Sequence, residues 1–181
     1  MSQTATEDAL RDAVVVGAGG ATVIWAHQDG PRPAVPFVSL SHGAQLTVGM
    51  VESSHAFDAG ADPGEEITYT DLELNEATLS IQVFGTVLGD SSAMAIARNI
   101  RRAFDLRSVR ADLEAAGLSV FDTGTVVPVH TVLDADWEGR ASVDLRYYTY
   151  ESQTETNGYI DTVNVDGPTD DDGFTVGPEE P

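Results

Sequence analysis

Between residues 77 and 104 the spacing of apolar side chains changes from two to helical, and this switch constrains the fold more than any other feature. Leu79, Ile81 and Val83 alternate with Thr78, Ser80 and Gln82, the pattern of a strand with one buried face. From Asp90 onward Ala93, Ile96, Ala97, Ile100 and Phe104 recur at helical spacing, with Asp90 or Ser91 placed to cap the first turn. A strand with one wet face, followed at once by an amphipathic helix, predicts a sheet that buries one side under helices.

The flanking segments extend this pattern. Thr6 to Val16 reads as a helix, with Thr6 as N-cap and Glu7 and Asp8 complementing the positive helix end. Gly17, Gly19 and Gly20 break it, Thr22 to His27 reads as a short strand, and the proline-rich run Asp29 to Pro36 as an extended loop. Phe37 to Met50 predicts a strand, and Glu52 to Gly64 a polar insertion. Glu66 to Leu74 and Ala77 to Phe84 are expected as two strands parted by Asn75 and Glu76. A second helix, Ser108 to Ala116, stops at Gly117. Strands follow at Leu118 to Phe121, Thr125 to Leu133 and, after a turn at Asp134 to Asp136, Trp137 to Tyr150. Tyr159 to Val165 would add an edge strand, while Gly167 to Pro181 is too polar to pack. The order predicts a single α+β domain over residues 1–166, its sheet largely antiparallel with helices on one face, and an acidic flexible tail over 167–181.

Charge bounds the setting. The chain carries 30 acids against 9 bases, a net charge of −21, and all nine bases are Arg. Such a shell repels itself at ordinary ionic strength, but at molar salt the Debye length falls to about 3 Å and the repulsion is screened. A salt-rich cytoplasm is the expected setting. Specific nucleic-acid binding is not expected, because phosphate contacts need clustered cations. No stretch approaches the roughly 20 apolar residues of a membrane helix, and the opening MSQTATEDAL has neither a basic start nor an apolar core, so no membrane partner is expected.

Candidate chemistry is sparse. There is no Cys, and His27, His42, His55 and His130 form no ligand pair of recognised spacing, so no metal site is expected. The run VVVGAGGATVIWA has the glycines of a dinucleotide-binding turn, but such a turn needs a strand before Gly17, a third glycine where Thr22 stands, and an acid at the end of the next strand. A helix end followed by a turn of small residues accounts for it better. Asp170, Asp171 and Asp172 lack the spacing of a calcium loop and read as a solvated acidic segment. Ser and His never meet in a nucleophile elbow, no carboxylate pair stands out, and His130 reads as a structural residue in a strand. No catalytic residue and no cofactor are expected.

The arginines are more informative. Arg98, Arg101, Arg102, Arg107 and Arg110 put five of nine cations within thirteen residues. The 98, 101, 102 spacing sets three on one helical face, opposite Ile96, Ile100 and Phe104. Such a stripe on an acidic protein suits an acidic surface such as a neighbouring copy. Pairing within the chain, with Asp105, Asp112 and Glu114, is the alternative.

In order, these features resemble the tail-terminator or neck proteins of tailed viruses. The resemblance rests on Gln28 to Pro33, Pro36 to Leu40, Ser80 to Gly85, the helix bearing Ala97, Ile100 and Arg101, Ala116 to Leu118 and Trp137 to Ala141, and it spans residues 5 to 166. It implies a structural virion protein of the tail neck without a catalytic centre, assembled in the host cytoplasm. Subunits of this kind form a ring, typically of six copies, that caps the tail tube and meets the head connector or head-completion protein, while genomic DNA passes through. With the salt signature, it suggests a virus of a halophilic archaeon. The rival readings are another virion ring component, such as a head-completion or tail-tube protein, a nucleotide-dependent enzyme built on Gly17 to Gly20, and a small-molecule-binding domain of the host.

Overall fold

In a computed structural model of the chain, described for residues 3–26, 30–58, 60–61, 66–133 and 136–158, the helical switch after Asp90 is realised as α2, Ala93–Ala103. Its cap is Ser92, one residue beyond the expected pair. The Ser92 hydroxyl accepts from the Ala95 backbone N–H at 3.3 Å, satisfying a donor with no helical partner. Ala93, Ile96, Ala97, Ile100 and Ala103 form the buried face, and Phe104 closes it.

Helix α1 runs Gln3–Gly17. Thr6 therefore lies inside the helix and is not its cap. The end at Gly17 has a packing cause: a Cβ there would fall 2.8 Å from Asn99 O and Ile100 N, so only glycine lets α1 rest on the backbone of α2. The glycine run thus follows a helix and precedes a strand, the reverse of the order a phosphate-binding turn requires. Helix α3, Arg107–Ala115, packs against α1 and ends at Gly117, whose φ of 68° is the left-handed conformation of a terminating glycine.

The strands are β1 Thr22–Trp25, β2 Phe37–Thr47, β3 Glu52–Phe57, β4 Ile67–Gly85, β5 Leu118–Asp122, β6 Val127–Pro128, β7 Thr131–Leu133 and β8 Asp136–Asn157. The main sheet is ordered β1-β2-β4-β8-β5, with β3 on β4 and β6 and β7 on β8. The sheet is mostly antiparallel; β1 and β2, joined across the proline loop, are the parallel pair, matching Val23 with Val38 and Trp25 with Leu40. Val38, Leu40, Leu79, Ile81, Val83, Ala141, Val143, Leu145 and Tyr147 project on one face and share a core with Leu10, Val14, Ile96, Ile100, Phe104, Val109 and Leu113 of the helices. The α+β fold with helices on one face is what forms.

Four expectations about the strands need correction. Asn75 and Glu76 do not turn the chain, and β4 continues through them as one strand of 19 residues. The pair lacks the glycine of a tight hairpin, and β2 offers ladder partners instead: Leu46 faces Glu76 and Thr47 faces Asn75. Asn75, only 2% exposed, is held by the Thr47 hydroxyl at 3.1 Å. The insertion at Glu52 also becomes strand. β3 is exposed throughout and owes its conformation to pairing on β4, with the Ser53 hydroxyl donating to Asp71 at 2.5 Å. The expected strand Thr125 to Leu133 divides into β6 and β7, with His130 between them, exposed, accepting the Arg140 backbone N–H at 3.3 Å. β8 also outruns its expected end at Tyr150.

The packing separates into two compact units, Met1–Ser54 with Thr70–Thr154, and His55–Tyr69 with Glu155–Pro181. In the smaller unit the His55 and Tyr69 rings lie 6.1 Å apart, and the Asp58 N–H donates to Glu66 O at 2.8 Å. The edge strand at Tyr159 to Val165 and the domain limit at 166 fall outside the described residues.

Two predictions follow from this packing. Gly17→Ala should lower unfolding stability by about 1–3 kcal/mol, as overpacking against backbone does, whereas Gly30→Ala, which meets no atom within 4 Å, should change it by less than about 0.5 kcal/mol in denaturant titrations. Burial, and secondarily the Glu7 carboxylate, raise the Tyr147 phenol above its ordinary value of 10.0. The unfolded chain then loses this proton first, so stability present below pH 10 is lost as pH rises through the raised value. Tyr147→Phe should flatten that alkaline decline.

Candidate functional site

Helix α2 carries opposite characters on its two sides. Ile96 and Ile100 point into the core, while Arg98, Arg101 and Arg102 are exposed. The turn after β5 comes beside them: Gly124, Thr125 and Val126 complete a hollow of about 310 Å³ with the three arginines. Gly124 is fixed there at φ 53°, and its N–H donates to Asp122 Oδ1 at 2.9 Å. That hydrogen bond, followed by the Arg146 side chain, holds the Asp122 carboxyl below the usual range, and the Arg101 charge adds to the effect. Asp122 therefore stays ionised next to the hollow.

The expected five-arginine stripe is not uniform. Among the described residues, no carboxylate lies within ion-pair distance of Arg98, Arg101, Arg102 or Arg107. Arg110 is committed to its own chain: its Nε donates to Phe104 O at 3.1 Å and its Nη2 to Asp105 at 3.2 Å. Of the carboxylates weighed as internal partners, Asp105 is engaged, by Arg110, and Asp112 and Glu114 pair with no arginine. The structure brings Arg98, Arg101 and Arg102 together at one hollow and leaves Arg107 and Arg110 on the following helix.

Two arginine clusters on the solvent face of the sheet were not foreseen. At one, the Phe37 and Phe84 rings stack at 4.4 Å as cross-strand partners. Arg32 lies over both, at 5.3 and 5.4 Å, and Arg140 lies over Phe84 at 5.0 Å. Glu138 accepts from Arg32 and, at 2.6 Å, from Arg140. Guanidinium groups over ring faces gain from the ring quadrupole. At the other, Arg146 joins Glu76 of β4 at 3.1 Å to Asp122 of β5 at 3.2 Å and covers Phe121, itself stacked on Tyr148. The signal for both clusters was pairing across the sheet, with Arg32 and Glu138 standing 106 residues apart.

A third surface is apolar. Leu46, Met50 and Val51, around the β2–β3 connection, are exposed, Met50 by 94%. None of these surfaces brings together a nucleophile and a base, and the described residues hold no group of three or more His, Asp or Glu placed for a metal. No helix among the described residues is long and apolar enough to cross a membrane. The geometry is that of a protein with charged and apolar surfaces for contact.

Comparison with known proteins agrees with this character. No curated protein matches the chain. One family model does, described as phage neck terminator protein, and it matches residues 4–173, nearly the whole sequence. The match takes in the arginine face of α2, both arginine clusters and the long strands β4 and β8. Such a family is structural, its place is the virion neck, and its members meet other head and tail proteins. The chain belongs to the phage neck terminator family.

Proposed function

We propose that this chain is one copy of a closed ring, of six copies, that caps the finished tail tube and joins it to the head connector. A ring needs a heterologous interface, in which one patch meets a different patch on the next copy. The observation that carries this reading is the arginine face: three exposed cations without a partner among the described residues, on a chain of net charge −21. Arg98, Arg101 and Arg102 form the centre of the contact and Arg107 its flank. Arg110 serves by holding the turn between α2 and α3. The apolar rim of Leu46, Met50 and Val51 is assigned to the tail tube. An acidic lumen lets genomic DNA pass without gripping its phosphates. The protein works by shape and adhesion without catalysis, is assembled in the host cytoplasm, and belongs to a virus of a halophilic archaeon; the excess of acids and the use of Arg alone support that origin. Residues 1–166 form the assembling domain and 167–181 an acidic extension.

The interface reading is tested by Arg98→Glu with Arg101→Glu, which should weaken ring formation at least tenfold in sedimentation velocity at molar KCl. An unchanged ring would remove the arginine face from the interface. Electron microscopy of the pure protein separates a terminator, which stops at closed rings, from a tube protein, which grows long stacks. The salt reading predicts a melting temperature that climbs from 0.1 M to molar KCl as the Debye length falls from about 10 to 3 Å. A flat or falling curve would count against the halophilic origin.

A further inference from the structure

We infer that Arg98 and Arg101 of one copy enter the groove between α1 and α3 of the next copy and settle against Asp12 and Asp112. This rests on the ring reading and names the second patch of its interface. The groove, about 380 Å³, has Ala13, Val16, Val109 and Leu113 as apolar lining and a carboxylate from each helix, Asp12 of α1 and Asp112 of α3. Neither Arg11 nor Arg107 is among its lining residues.

The first support is charge left over on both sides. Carboxylates of the sheet are engaged within the chain: Glu138 by Arg32 and Arg140, Glu76 and Asp122 by Arg146, Asp144 by Ser80. Asp12 and Asp112 form no ion pair among the described residues, and neither do Arg98 and Arg101. Two carboxylates lining one hollow repel each other until a cation comes between them. The chain already shows what such a cation does, since Arg146 reaches Glu76 of β4 at 3.1 Å and Asp122 of β5 at 3.2 Å. Guanidinium is a planar, weakly hydrated fork of N–H donors, so one group serves two carboxylates at contact distance, inside even the screening length of about 3 Å at molar salt.

The second support is shape. A hollow of this size is at the small end of ligand pockets and admits side chains rather than a folded segment. Val16, 58% exposed, offers apolar surface on which an arginine stem can lie while its charged end meets the carboxylates.

The third support is direction. Gly17 of α1 meets α2 at the peptide between Asn99 and Ile100. At about 100° per residue, Arg98 and Arg101 each lie about 150° round α2 from that peptide. They therefore point away from the helix that forms one wall of their own chain's groove. The arginine face and the groove share no residue, as a heterologous contact between two different patches requires.

We expect Asp12→Asn with Asp112→Asn, which keeps the size of both side chains, to weaken ring formation at least tenfold in sedimentation velocity at molar KCl. Asp12→Arg with Asp112→Arg should weaken it further, and adding Arg98→Glu and Arg101→Glu to that same chain should restore it at least tenfold, because the exchanged charges meet again. Rings unchanged by the two Asn changes would overturn the inference. A four-change chain that melts as sharply as the unaltered protein yet stays apart would overturn it too; where that chain does not fold, the Asn variant decides alone. Rings lost with Arg98→Glu and Arg101→Glu but kept by the Asn variant sink this inference and leave the ring reading standing, while an unaltered chain that forms no rings sinks both.

Discussion

The contact of α1 with the backbone of α2 at Gly17 sets what the remaining residues can do. With no side chain at that point, the end of α1 meets Asn99 and Ile100 at backbone distance, and both helices lie with their apolar sides on one face of the sheet. Leu10 and Val14 from α1 and Ile96 and Ile100 from α2 then share one core with β2, β4 and β8. The depth of that core fixes the rotation of α2, and the rotation sets its arginines outward. A helix held farther off would carry the same residues with no defined direction for the charge.

On the opposite face the sheet is finished without apolar cover. Ser80 donates to Asp144 at 2.6 Å, and Arg146 and the Arg32–Arg140 pair lie over aromatic rings. Long guanidinium side chains shield the rings while keeping their charge in water. On this face Arg32, Arg140 and Arg146 each meet a carboxylate and a ring together, which suits a surface with far more acids than bases. Exposed pairs of this kind contribute little each, about 0–1 kcal/mol, so the fold rests on the helix-covered face.

Much of this was legible in the sequence because the deciding forces are local. Ala93, Ile96, Ala97, Ile100 and Phe104 announce α2, and the alternation of Leu79, Ile81 and Val83 announces the buried side of β4. What escaped depends on distant partners. Asn75 and Glu76 look like a turn until Thr47 and Arg146 are placed beside them. Glu52 to Phe57 has no buried side chain, and only its ladder on β4 makes it a strand. The cap moved from Asp90 or Ser91 to Ser92 because that hydroxyl, and not the more acidic neighbour, reaches Ala95. The arginine face followed from spacing alone, but the withdrawal of Arg110 depended on where the carbonyl of Phe104 points.

The uninterrupted length of β4 and β8 has a mechanical meaning. The strands have 19 and 22 residues and lie side by side in the sheet. A pull along their direction loads many backbone hydrogen bonds in shear at once, whereas a turn at Asn75 would have let them open singly, like a zip. In a neck terminator protein a ladder of this length resists a pull along its own strands better than two short hairpins of the same total length would.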